Sequence, residues 1–235
     1  MKEKIEGKKL ICIMMMIFDI NFVITKYVPY SLYDVFAGVE YNGYILFYAS
    51  TIMYFAVFFF WEFGNTEKYV KGYGVLELCR HMKRTKIVNK IILRITRNVL
   101  LLLLLGIFIF ETQSYIINGK CLREYDIKLI KYILIVVMVI VSLEIWQSIF
   151  EIIAGSKIAI LMILGIVTAH LGLGDVMKNR GIKDINQIFS YSNLAVYKRY
   201  CFNTLNYKYL LVFMLVVILL QTIMLNVLFK RKNIY

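Results

Sequence analysis

The chain's last apolar run, LLVFMLVVILLQTIMLNVLF over residues 210–229, contains no ionisable side chain. A helix apolar on every side needs either a large protein core or lipid around it, and a helical bilayer span takes roughly 20 such residues. Five further runs read the same way. They lie at about 10–28 (opening LICIMMMIFDINFVI), 44–61 (YILFYASTIMYFAVFFFW), 99–117 (with LLLLLLGIFIF), 132–150 and 158–173. The first is the weakest, since it holds Asp19 and ends near Pro29. Its basic start resembles a signal peptide, but no small-x-small cleavage site closes it, so an uncleaved first helix is expected. Of 235 residues, 60% are hydrophobic and 18% charged, below the roughly 25% charged of a soluble domain. The expectation is an all-α polytopic protein, one transmembrane domain over residues 1–235 with six transmembrane helices.

The formal charge of +13 would suit nucleic acid or an anionic surface, so the placement of the charges decides. With the N-terminus cytoplasmic, the inner segments 1–9, 62–98, 151–157 and 230–235 hold 17 of the 28 Lys and Arg residues. The outer segments hold the other 11 and are diluted by Glu40, Glu111, Glu124, Asp175 and Asp184 among others. The positive-inside rule then puts both termini in the cytoplasm of a multi-pass cell-membrane protein, with residues 62–98 inside and 174–208 outside. In the outer loop, Lys198 and Arg199 lie among aromatics, a mixture suited to a headgroup boundary.

Nine of the inner cations crowd into residues 62–98. Gly64, Gly72 and Gly74 break the chain before a helix that could run from about Leu76 into the third span. At 100° per residue, Lys83, Lys86, Lys90, Arg94 and Arg97 fall along one edge, with Val88, Ile92 and Ile95 on another side. Such an amphipathic helix suits an anionic lipid surface, or a cytoplasmic partner that docks there. No nucleic-acid recognition module can be assembled from this loop, so nucleic acid is not an expected partner.

In this loop the segments YVKGYG and LCRHMKRTKIVNKIILR resemble the coupling or gate helix of the permease subunits of type-2 ABC exporters, in particular the small, divergent permeases of low-GC Gram-positive bacteria (Firmicutes). Arg80, Arg84 and Lys90 match that family's R…R…K pattern, with Gly72 and Tyr73 in the preceding segment. The aromatic often found after the basic cluster is replaced by Ile87 and Val88, and the fifth-to-sixth connection lacks the frequent proline. The resemblance implies six helices with both ends inside and coupling through Gly72, Tyr73, Arg80, Arg84 and Lys90. It implies a second permease chain, identical or related, and a cytoplasmic nucleotide-binding ATPase that supplies ATP and Mg. This chain itself carries no GxxxxGK[ST] loop. The implied cargo is an antimicrobial or other hydrophobic or cationic peptide. The alternative class is a non-transporting bacteriocin immunity or membrane assembly protein.

Two carboxylates inside the spans, Asp19 and Glu144, are costly unless paired, hydrated or neutral, and suit either helix packing or a translocation path. Gly155, Ala159, Gly165, Ala169, Gly172 and Gly174 suit close packing of the fifth span. A lesser alternative is a membrane peptidase. Cys79 and His81 sit two apart, a spacing that does not bring side chains together on a helix. His170 with Ser142 or Ser156 lacks a nucleophile motif. No enzyme activity, resident cofactor or metal site is therefore expected in this chain. Cys121 and Cys201 both fall outside, which leaves a disulfide between them open.

Overall fold

The computed structural model describes residues 2–27, 32–71, 84–119, 127–181, 190–200 and 206–231. Every regular element among them is helical. The long helices are α1 (Lys2–Tyr27), α2 (Ile45–Glu62), α4 (Arg84–Asn118), α5 (Ile127–Ala154), α6 (Ser156–Asn179) and α7 (Tyr207–Arg231). Between them lie a 3-10 turn at Leu32–Phe36, the short helix α3 (Asn65–Lys71), a second 3-10 turn at Tyr191–Ala195 and one helical turn at Tyr197–Tyr200. Five stretches are long and apolar enough to cross a membrane: Ile45–Lys71, Thr85–Ile117, Ile127–Ala154, Ser156–Asn179 and Tyr207–Phe229. The expected first span falls on α1, whose apolar run is flanked by Lys8 and Lys9 and broken by Asp19.

The helices distribute polarity the wrong way round for water. α7 is the most apolar of the five, yet only 22% of its apolar window is buried in protein, and Leu215, Leu219, Leu220 and Ile223 point outward. The apolar window of α5 is 72% buried, and the helix packs against α2, α4, α6 and α7. It carries Ser142, Glu144, Gln147, Ser148 and Glu151, all buried. Apolar side chains face out and polar ones face in because lipid cannot satisfy a hydrogen bond, whereas neighbouring helices can. Ser142 illustrates this: it accepts from Gln221 of α7 at 2.9 Å and donates to the Tyr191 hydroxyl at 3.3 Å.

α4 is a single helix of 35 residues, about 52 Å at 1.5 Å per residue against a hydrocarbon core of about 30 Å. The amphipathic segment and the third span are thus one continuous rod from Arg84 onward, while residues 76–83 lie outside the described residues. Ile87, Val88, Ile91 and Ile95 are buried, and Lys86, Lys90 and Arg97 are exposed. Arg94 departs from the expected cationic edge, because it turns inward to an ion pair described below. The small residues of α6 also divide. Ala159 is buried and Gly174 lies against another segment, but a Cβ on Gly165 or Gly172 would meet nothing within 4 Å. Among the described residues, no other segment fills the space beside those two glycines.

Candidate functional site

Buried polar groups gather at two ends of the helix bundle, around Asp19, and at the Ser142–Gln221 pair in mid-helix. At the first end, helices α2 and α5 finish while α4 and α6 begin. Gly64, with φ +71°, turns the chain from α2 into α3, and Gly155, with φ +85°, turns it from α5 into α6. Glu151, one turn before Gly155, accepts the backbone N–H of Gly64 at 2.7 Å and those of Thr66 and Glu67 at 3.1 Å each. Glu67 in turn accepts the Ser156 N–H at 2.8 Å and pairs with Lys71 at 2.6 Å. Carboxylates at helix starts satisfy amides that have no partner within the helix. Here each of two elements caps the next, and α3 is held between α5 and α6.

Beside this clamp, Glu62 accepts from Asn98 and, at 3.1 Å, from Asn65. The Arg94 guanidinium lies 3.4 Å from Glu62 and donates to Thr66 Oγ1 at 3.2 Å, and Thr66 is hydrogen-bonded to Ser148 at 3.0 Å. Lys8 donates to the Phe63 carbonyl at 2.8 Å. Burial pushes the Lys8 ammonium below the ordinary lysine range, and the Glu62 carboxylate pulls it partly back. Gln147 donates to the Phe59 carbonyl at 3.0 Å and to Glu151 at 3.3 Å. Glu144 is 1% exposed, and neither of its carboxyl oxygens has a hydrogen-bond partner.

At the opposite end, Arg199 is also 1% exposed. Its guanidinium donates to the carbonyls of Val39 (2.9 Å) and Leu171 (2.8 Å), to Asn193 Oδ1 (2.8 Å) and to the Tyr48 hydroxyl (3.1 Å), and it pairs with Asp175 at 3.2 Å. Burial lowers its pKa from the usual arginine value, opposed by Asp175. Tyr48 also donates to Asp175. The headgroup role expected of Arg199 is therefore corrected: it is a buried clasp that ties residues 39–48 and 190–199 to the end of α6. All of its partners but Asn193 are far away in sequence, so no local pattern announced it. His170 bonds Ser192 at 2.9 Å, rather than Ser142 or Ser156.

Asp19 is buried and accepts from Ser50 at 2.5 Å. It lines a cavity between α1, α2 and α4 with Tyr54, Met16, Phe58 and Gly106. The space open to the centre of a water-sized sphere is about 20 Å³, room for about one water. Of the expected coupling residues, Arg84 opens α4 and Lys90 is exposed on it, while Gly72, Tyr73 and Arg80 lie outside the described residues. Lys83, Cys79, His81, Cys121 and Cys201 lie outside them too. Asp19 and Glu144 are in separate settings, and the structure does not bring them together. Glu62 and Glu151 were not singled out from the sequence, although Glu144, Ser148 and Glu151 recur at the i, i+4, i+7 spacing of one helix face. Among the described residues no three His, Cys, Asp or Glu side chains converge where a metal ion could be held.

A family model described as "Protein of unknown function (DUF2705)" matches residues 9–235, nearly the whole chain. The chain belongs to that family. No curated protein and no solved structure matches it. This DUF2705 member is thus an all-α, multi-pass membrane protein with buried polar clusters at both ends of the bundle and buried Asp19, Ser142, Glu144 and Gln221 between them.

Proposed function

We propose that this chain is the transmembrane permease subunit of an ATP-driven exporter of the type-2 ABC kind, with both termini cytoplasmic. A separate ATPase docks on its cytoplasmic side, and a second permease chain completes the path. The observation that carries this reading is the continuity of α4. Its cationic surface with Lys86, Lys90 and Arg97 and its apolar span are one helix. The Arg94–Glu62 pair fastens that helix to α2, and the same cluster bonds α2 and α3 to α5. A push on the exposed part is thereby passed to the central helix without a flexible joint in between. The glycine and tyrosine of YVKGYG and the R…R…K pattern support the same docking site. A hydrophobic or cationic peptide is the cargo that accords with the resemblance.

Charge reversal at Arg80, Arg84 and Lys90 tests the proposal. The triple variant should still insert in the membrane, while losing the co-purifying ATPase and ATP-dependent export. Unchanged ATPase binding and export would overturn it. Protection of cells against a peptide without any ATPase would instead establish the immunity reading.

A further inference from the structure

We infer that Glu144 is a proton-binding site, and that its proton keeps the buried charge cluster between α1, α2, α4 and α5 electrically closed. Glu144, Gln147, Ser148 and Glu151 lie on one face of α5, at the i, i+3, i+4 and i+7 spacing. The charged groups that act most strongly on Glu144 are Glu62 of α2, Glu151 of α5, Lys8 of α1 and Arg94 of α4. Of the other neighbours of α5, α3 carries Glu67 and Lys71, which pair with each other, and Lys68, which is exposed, while Tyr191 of the second 3-10 turn bonds Ser142. The ionisable groups of α6 are Lys157 near its start and His170, Asp175 and Lys178 towards the other end, with His170 bonded to Ser192 and Asp175 to Arg199. α7 has no ionisable side chain between Tyr209 and Lys230.

The cluster balances in one state only. Lys8 and Arg94 supply two positive charges, Glu62 and Glu151 two negative ones, and each of those four has a partner. Glu62 has Asn98, Asn65 and Arg94; Glu151 has three backbone amides and Gln147; Lys8 has the Phe63 carbonyl. Glu144 is the fifth charged group, fully enclosed, with no donor on either oxygen. A buried anion without a partner is far more costly than the neutral acid. With a proton on one carboxyl oxygen, Glu144 is uncharged and the cluster sums to zero. When that proton leaves to water, the carboxylate left behind repels Glu62 and Glu151, the two groups that fasten α4 and α3. Protonation of Glu144 and the seating of those two helices are thus linked. The ligand is a proton rather than a metal ion, since these carboxylates do not converge on one point.

The full chain, reconstituted in lipid nanodiscs without any ATPase, provides the test by infrared difference spectroscopy across a pH titration. Wild type should show the carbonyl stretch of protonated carboxyls, and Glu144→Gln should remove one component of it. Glu62→Gln leaves Glu144 in place and deletes one competing negative charge. It should move the midpoint of that band down by about one to three pH units. Arg94→Gln should move it up. A band that Glu144→Gln leaves unchanged, or a midpoint that neither Glu62→Gln nor Arg94→Gln moves, would overturn the assignment. Because no ATPase or cargo is present, these outcomes are separate from those that test the exporter reading.

Discussion

Glu151 and Glu67 form a relay of caps: the Glu151 carboxylate holds the backbone N–H of Glu67, and the Glu67 carboxylate holds the N–H of Ser156. Since Glu151 serves three amides and is buried, Glu151→Ala should destabilise the protein by at least about 2 kcal/mol. Glu67 is partly exposed and serves one, so Glu67→Ala should cost about 1 kcal/mol. Thermal unfolding of both variants in one detergent checks the order. Equal losses would mean that the relay is not organised around Glu151.

Arg94 and Glu62 should show a coupling of about 1–3 kcal/mol in a double-mutant cycle. The single variants Arg94→Met and Glu62→Gln each strand a buried polar group, whereas the double variant strands neither. The same unfolding assay should therefore find the double variant more stable than the sum of the two losses implies. Additive losses would show that the pair does not fasten α4 to α2.

The Arg199 clasp predicts a loss of about 3–5 kcal/mol for Arg199→Ala, because Asp175 and two carbonyls lose a buried partner. Arg199→Lys should not restore it, since one ammonium cannot occupy the five positions that the guanidinium fork reaches. Gly174 offers an independent probe. A Cβ there would lie 2.7 Å from Asn193 Nδ2 and 3.1 Å from Arg199 Nη1, so Gly174→Ala should cost about 1–3 kcal/mol. Gly165→Ala and Gly172→Ala, facing open space, should be neutral or stabilising by up to about 1 kcal/mol. The five unfolding midpoints decide the matter.

The contrast between Arg94 and Lys90 shows how far the sequence could be read. Apolar run length marks the membrane helices, because it depends only on neighbours along the chain. Helical phase likewise separates Val88 and Ile95 from Lys86 and Lys90. Arg94 has the same local pattern as the exposed lysines, yet its partner Glu62 is 32 positions earlier, and nothing in either segment states that α2 ends beside α4. Arg199 is harder still, since its partners come from residues 39–48, 171–175 and 193. Asp19 and Glu144 were conspicuous as carboxylates in apolar runs. What each of them faces was fixed only by the packing.

Lys8 supplies a pH dependence outside the spans. Its folded pKa lies below the unfolded value of 10.5 because burial disfavours the charged form. The unfolded chain therefore binds the proton more readily over the window just below that value. Stability should be full above it and fall as pH drops through the window towards the folded pKa. Lys8→Met should flatten this slope in denaturation series run just below pH 10.5. A slope unchanged in Lys8→Met would assign the dependence to another group.

The inward polarity of α5 also bears on the order of assembly. Alone in lipid, a helix with Glu144, Gln147, Ser148 and Glu151 would be a poor guest, costing several kcal/mol for its carboxyl groups. The side chains and amides that receive this face come from Lys8, Phe59, Glu62, Gly64, Thr66 and Arg94, all earlier in the chain. A ribosome delivering the protein from its N-terminus thus has the hosts in the bilayer before the guest emerges. The face of α5 that carries Glu144 and Glu151 does not have to wait in lipid for a helix that has not yet been made.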